Sequence, residues 1–118
     1  MEVLRELNDR SLVYQTTSEE KLNELLARSS TTFYIGFDAT AESLHLGHLV
    51  PLMIASHLQR AGHKPVILIG GATALVGDPS GRSAERTLES RETVAAWAES
   101  LKTQMKRFLK FGDGPGEA

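Results

Sequence analysis

The sequence predicts an α/β fold built around a single βαβ unit, and three stretches carry that prediction. Thr32 to Phe37 is a short run rich in aromatic and β-branched residues, the composition of a strand. From Leu46 to about Arg60, apolar residues recur at helical spacing and cover nearly every side (Leu46, Leu49, Val50, Leu52, Met53, Ile54, Leu58), predicting a helix buried on more than one side. Val66-Ile67-Leu68-Ile69 is a continuous apolar run, the pattern of a strand in a parallel sheet covered on both faces. Strand, helix and strand within about forty residues imply a right-handed crossover.

The elements follow in order. Glu2 to Val13 reads as a short helix with Val3, Leu4 and Leu7 on one side. Thr17-x-x-Glu20 has capping-box spacing and predicts a second helix that aligns Leu22, Leu25 and Leu26. Arg28-Ser29-Ser30-Thr31 ends it, so residues 1–31 form an N-terminal helical segment and residues 32–118 the α/β unit. Within the long helix Pro51 lacks the N–H that would bond the Gly47 carbonyl, which predicts a bend in its first turns. Gly62-His63-Lys64-Pro65 is a turn into the second strand. A long loop runs from Gly70-Gly71-Ala72-Thr73 through Gly77-Asp78-Pro79-Ser80-Gly81 to Glu89. Ser90 can then cap a last helix with Val94, Trp97, Leu101, Met105 and Phe108 at helical spacing, a packing stripe. The end, from Phe111 to Ala118, is rich in breakers.

Bulk properties narrow the function classes. The 118 residues suffice for one domain with a modest core. No apolar run approaches the ~20 residues of a membrane span, and the acidic residues Glu2 and Glu6 do not suit a signal peptide. Cysteine is absent, which excludes disulfides and thiolate metal sites and fits a cytoplasmic location. A net charge of −2 offers no global basic footprint for nucleic acid.

The chemistry concentrates between Tyr34 and His48, where strand, polar loop and helix start follow one another. A helix N-terminus reached from a strand presents free N–H groups and the positive dipole end to an anion such as phosphate. His45-Leu46-Gly47-His48 puts two imidazoles on the first turn, with a glycine between them over which a flat base or sugar can lie. The plain alternative is two histidines capping a helix. Tyr34 reads equally as a strand aromatic, Asp78 as the turn residue before Pro79, Thr73 as a loop cap, and Arg82 with Arg86 as solvated charge.

Taken together, Tyr34-x-Gly-Phe-Asp-x-Thr-Ala-x-Ser-Leu-His-Leu-Gly-His-Leu, Gly70-Gly-Ala-Thr and Gly77-Asp-Pro-Ser resemble the N-terminal half of the bacterial-type tyrosyl-tRNA synthetases, which are class I aminoacyl-tRNA synthetases. The resemblance covers essentially the whole chain and implies a Rossmann-like class I catalytic fold with a partial parallel sheet and N-terminal helices. It implies activation of tyrosine with ATP and transfer to tRNA(Tyr), with Mg²⁺ accompanying ATP as substrate, no tightly bound cofactor and no protein-held metal. By the same resemblance His45 and Thr40 meet the ATP phosphates, His48 lies near the ribose and Gly47 leaves the gap for adenosine. Gly36 and Asp38 lie by the nucleotide, while Tyr34, Thr73 and Asp78 form part of the tyrosine pocket. Arg82 and Arg86 face the departing pyrophosphate. Arg82 stands where lysine is frequent, Ile35 where a cysteine or small polar residue can reach the ribose, and Ala39 where proline stiffens the loop.

The family's Lys-Met-Ser-Lys-Ser loop, second carboxylate for the phenol, homodimer interface and tRNA-binding parts are not in this sequence. The chain is therefore expected to be part of a longer enzyme, weakly active or inactive alone, with an exposed sheet edge and apolar face. Two alternatives stand beside this reading: another nucleotidyltransferase with the same histidine turn, and an inert folding or assembly fragment.

Overall fold

A computed structural model describes residues 3–70 and 90–118. The order is α1 (Val3–Asp9), α2 (Glu19–Leu26), β1 (Thr32–Asp38), α3 (Leu46–Arg60), β2 (Lys64–Gly70) and α4 (Arg91–Met105). Among the described residues β1 and β2 form one parallel pair, in a register running from Thr32 opposite Lys64 to Asp38 opposite Gly70. The expected βαβ unit is present, with both strands extending slightly beyond their apolar runs.

The two faces of this sheet differ. Phe33, Ile35 and Phe37 alternate onto one face of β1 and join Ile67 and Ile69 of β2 in the main core. That core is closed by Leu52 and Ala55 of α3 and by Val94, Leu101 and Met105 of α4. Tyr34, Val66 and Leu68 project on the other face and are exposed. Among the described residues the run Val66–Ile69 is apolar throughout but only alternate members are packed. The cover on both faces that the run suggested is therefore not seen, and the exposed apolar face expected of part of a longer sheet is. Ile35 belongs to the packed face, opposite to Tyr34.

The N-terminal helices form a smaller core in which Val3, Leu7 and Leu58 are buried, with Leu12, Val13, Leu26 and Ile54 against them. The first helix is shorter than the predicted span to Val13. Ser11 at φ 57° reverses the chain, and the N–H groups of Ser11 and Leu12 donate to the Asn8 and Leu7 carbonyls, both at 2.9 Å. This is a Schellman ending, which satisfies the last carbonyls and folds Leu12 back onto the core. The second helix is capped by Ser18, not Thr17: Ser18 Oγ accepts from the Lys21 N–H at 3.4 Å. Its Leu25 is exposed, and no residue of α2 is fully buried. Leu22 and Leu26 border an apolar cavity of about 480 Å³ shared with Leu4, Leu7 and Phe33.

Helix α3 has the predicted span and is continuous through Pro51. Its burial is narrower than expected: Leu52, Ala55 and Leu58 are buried, whereas Leu46, Leu49 and Val50 near its start are exposed. Gly62, at φ +100°, ends it in a second Schellman arrangement, with the Gly62 N–H donating to Gln59 and the His63 N–H to Leu58. His63 is 1% exposed, and its Nδ1 accepts the Thr31 N–H at 3.2 Å. The Lys64 N–H in turn donates to the Thr31 carbonyl at 3.0 Å, fixing where the two strands begin to pair. Ser90 caps α4 as predicted, accepting from the Thr93 N–H at 3.1 Å. Gln59 binds the closing segment, with Nε2 donating to the Lys110 and Gly116 carbonyls and Oε1 accepting from the Lys110 N–H.

Candidate active site

At the carboxyl end of β1 the chain leaves the sheet through residues 39–45 and enters α3. Ala39 is fully buried, and its N–H donates to the Gly70 carbonyl at 3.3 Å, tying the loop to the end of β2. A proline there could not make this bond, so the loosening expected from alanine is offset by an added tether.

His45 is the N-cap of α3, with extended backbone and an Nδ1 that accepts from the Gly47 N–H at 3.0 Å. His48 returns the bond: its Nδ1 accepts from the His45 N–H at 3.1 Å. Two of the orphan N–H groups at the helix start are satisfied by this reciprocal pair, with histidines in the places usually held by a hydroxyl or carboxylate. Each Nδ1 acts as an acceptor, so the neutral ring carries its proton on Nε2, and Nε2–H is each ring's remaining donor. The rings stack with centroids 3.7 Å apart and an interplanar angle of 21°. Phe37 meets the His48 ring edge to face at 5.8 Å, locking it against the end of β1.

His48 has its pKa lowered from the usual histidine value, first because burial disfavours the imidazolium and second because a charged His45 beside it would repel a second charge. Gly47 is required by the same packing. A Cβ at this position would lie 2.8 Å from His45 Cε1 and 3.0 Å from its Nδ1, so any side chain displaces the capping ring. The capping alternative for the two histidines is thus present in the structure, and it leaves the Nε2 donors free of the cap.

Of the other candidates, Tyr34, Gly36 and Asp38 occupy alternate positions on the exposed face of β1. Tyr34 is 76% exposed, so its phenol is not a packed strand aromatic. Nothing lies within 4 Å of where a Cβ of Gly36 would stand, which leaves an open strip of backbone between Tyr34 and Asp38. Thr40 is exposed in the loop that follows. The structure therefore brings Tyr34, Gly36, Asp38, Thr40, His45, Gly47 and His48 onto one strand, one loop and one helix start. Thr73, Asp78, Arg82 and Arg86 lie outside the described residues.

Sequence reasoning missed a layer behind the loop. Gln104 of α4 accepts from the Leu44 N–H at 3.0 Å and donates to the Glu42 carbonyl at 2.9 Å. Ser100 donates to the same carbonyl at 2.7 Å. Leu44, His45, Leu49, Gln104, Arg107 and Phe108 border a pocket of about 180 Å³ next to the turn. No sequence pattern marks Gln104, because its partners are backbone atoms some sixty positions away.

Comparison with known proteins converges on one family. A model of the class I tRNA synthetases (W and Y) matches residues 26–113. The tyrosine–tRNA ligase of Streptococcus mutans is 51% identical over all 118 residues, and that of Caldanaerobacter subterraneus 50% identical over 114. The chain spans 28% of the length of each. Among solved structures, a C-terminally truncated mitochondrial tyrosyl-tRNA synthetase of Coccidioides posadasii matches 91% of this chain and 28% of its own, with a TM-score of 0.75 at 38% identity. The α/β arrangement is therefore that of a Rossmann-like synthetase catalytic domain. With the family model spanning most of the chain and the histidine turn seated between β1 and α3, the chain belongs to the class I tRNA synthetases of the tryptophan and tyrosine group.

Proposed function

We propose that this chain carries the nucleotide turn and part of the amino-acid pocket of a tyrosine–tRNA ligase. The enzyme joins the tyrosine carboxylate to the α-phosphorus of ATP, releases pyrophosphate, and passes tyrosine to tRNA(Tyr). No covalent enzyme intermediate is needed, so catalysis is positioning together with stabilisation of charge that develops on the phosphates. The observation that carries this reading is the paired His45–His48 cap, whose two Nε2–H donors stand at a helix start beside the carboxyl end of β1, where His48 meets Phe37.

In this reading His45 and Thr40 donate to the phosphates and His48 to the ribose side of the nucleotide. Gly36, Asp38 and Gly47 line the adenylate, and Mg²⁺ enters with ATP as part of the substrate. Tyr34 pairs with the substrate phenol, Asp78 with its ammonium and Thr73 with the pocket wall, while Arg82 and Arg86 receive pyrophosphate. A site that pairs the substrate hydroxyl rejects phenylalanine because a polar group would be left unpaired; tyrosyl-tRNA synthetases are the reference case for this effect. Contacts to tRNA(Tyr) and to a second subunit belong to the length of the relatives that this chain does not span. The working compartment is the cytoplasm; no described helix is long and apolar enough to cross a membrane.

The test is tyrosine-dependent exchange of pyrophosphate into ATP by the purified chain, with phenylalanine as control. His45→Asn keeps an N-cap acceptor but has no Nε2–H. It is expected to retain helicity and lose exchange by about 10²-fold, the scale for removing one donor to a developing anion. Exchange that is indifferent to tyrosine, or to His45→Asn, would overturn the reading.

A further inference from the structure

We infer that Gln104 is a positioning residue for the histidine turn, acting on His45 and His48 through the backbone of residues 42–44. This inference rests on the catalytic reading above, and it deepens that reading by adding a residue that never touches substrate.

Residues 42–44 have no regular secondary structure, and Glu42 and Ser43 are exposed. No strand partner holds them, yet they immediately precede the N-cap. The Gln104 amide fills that role from α4: Oε1 accepts the Leu44 N–H at 3.0 Å, and Nε2 donates to the Glu42 carbonyl at 2.9 Å. One side-chain amide therefore bonds the chain on both sides of Ser43, as a neighbouring strand would. Ser100, one turn earlier on the same helix, donates to the Glu42 carbonyl at 2.7 Å and lies 3.3 Å from Gln104 Nε2, which fixes the amide's orientation. Ser43 Oγ adds a longer bond to Gln104 Oε1 at 3.4 Å.

Helix α4 is a firm anchor for this device. Leu101 and Met105, which flank Gln104 along the chain, are among the most deeply buried residues, in the core that also holds Phe37 and Leu52. Leu44 packs against the same core. The Leu44 peptide is thus held by its side chain on one side and by Gln104 on the other, and the next residue is His45. Each neutral hydrogen bond has only modest net value, on the order of 1 kcal/mol, so losing them should not unfold the chain. Positioning is far more sensitive, since a displacement of about 1 Å at a reacting group can cost on the order of 10²-fold in rate.

The experiment uses Gln104→Met, which keeps length and packing but removes both bonds, and Gln104→Glu, which restores only the acceptor for Leu44. Pyrophosphate exchange and the imidazole ¹⁵N spectrum are read on the same samples. The expected result for Gln104→Met is a fall in kcat of about 10- to 100-fold with the tyrosine KM within about twofold, together with shifted His45 and His48 ring resonances and unchanged helicity. Gln104→Glu should recover part of both signals. Should Gln104→Met fold poorly, Ser100→Ala, which removes one bond to Glu42, should give the same changes in smaller measure. Unmoved histidine resonances in well-folded Gln104→Met would overturn the inference, as would exchange lost only in proportion to folded protein with no recovery in Gln104→Glu. If the parent chain shows no exchange, as expected of a part that needs the remaining length of its relatives, the ring resonances alone decide whether Gln104 positions the turn, and tyrosine or ATP binding by titration tests the catalytic reading separately.

Discussion

At the start of α3 two imidazoles share the task that a serine and a glutamate perform in an ordinary capping box. The exchange has a cost and a use. Each Nδ1 is tied to a backbone N–H, so each ring is held as the neutral Nε2–H tautomer. The cost is sensitivity to acid. Because the folded-state pKa of His48 is lowered, the folded chain binds fewer protons than the unfolded one between the lowered value and the ordinary 6.5. The resulting stability is fully present above pH 6.5 and is lost as pH falls through the folded pKa. The ¹⁵N titration of His48 is expected to have its midpoint below 6.5, accompanied by lower amide protection factors in the first turn of α3 on acidification. In His45→Asn the midpoint should move upward, since the repulsion is removed while the burial remains. A midpoint at or above 6.5 in the parent chain, or no upward move in the variant, would contradict this account. The turn was legible in the sequence because glycine, two histidines and a preceding strand all act over adjacent residues. Gln104 was illegible for the opposite reason: a glutamine on a helix carries no mark of which distant carbonyl it binds.

Among the elements, those specified by long apolar patterns were read well, and their ends less so. The span of α3, the start of α4 at Ser90 and the pairing of β1 with β2 follow from periodicity and from the residues at their caps, whereas α4 ends at Met105, before the Phe108 that the stripe included. The shortened α1 does not, because its stop is a serine in the left-handed region, where glycine is the expected signal. Nor does the Ser18 cap, which competes with Thr17 one position away and wins by aligning with the Lys21 N–H. Pro51 is a conflict that the sequence announced and the helix absorbs, for α3 is continuous through it. The missing N–H and the ring's crowding of the Gly47 carbonyl weigh against the helix, while a stiffer unfolded chain partly compensates. The net sign favours removal: Pro51→Ala is expected to stabilise the chain by about 1–2 kcal/mol, read as a higher urea midpoint with unchanged slope. An equal or lower midpoint would mean that the helix start has adapted to proline more fully than this balance allows.

Over the whole molecule, the organisation is one-sided. The radius of gyration is 16.0 Å, above the ~13.5 Å that compact-domain scaling gives for this length. The helices of the main core and the alternate side chains Phe33, Ile35, Phe37, Ile67 and Ile69 gather on one face of the sheet. The opposite face presents Tyr34, Val66 and Leu68 side by side, because parallel register sets Tyr34 opposite Val66 and Gly36 opposite Leu68. Continuous apolar character in Val66–Ile69 correctly signalled a strand, but periodicity alone could not tell which of its faces the rest of these residues would cover. An apolar strip on a sheet of two described strands favours association. Val66→Thr with Leu68→Thr places β-branched threonines, which suit a strand, at both positions while making that face more polar. Both side chains are already substantially exposed, at 44% and 57%, so little burial is lost and the stability change should stay within about 1 kcal/mol. Sedimentation velocity across a concentration series should then show a smaller associated fraction for the double variant than for the parent, at equal helicity. Equal association in both would move the contact elsewhere, to the exposed leucines at the start of α3 or to the surface around Tyr14 and Leu25. A large loss of stability would mean instead that Val66 and Leu68 support the strand pair through contacts along their own face, and that this face contributes to folding.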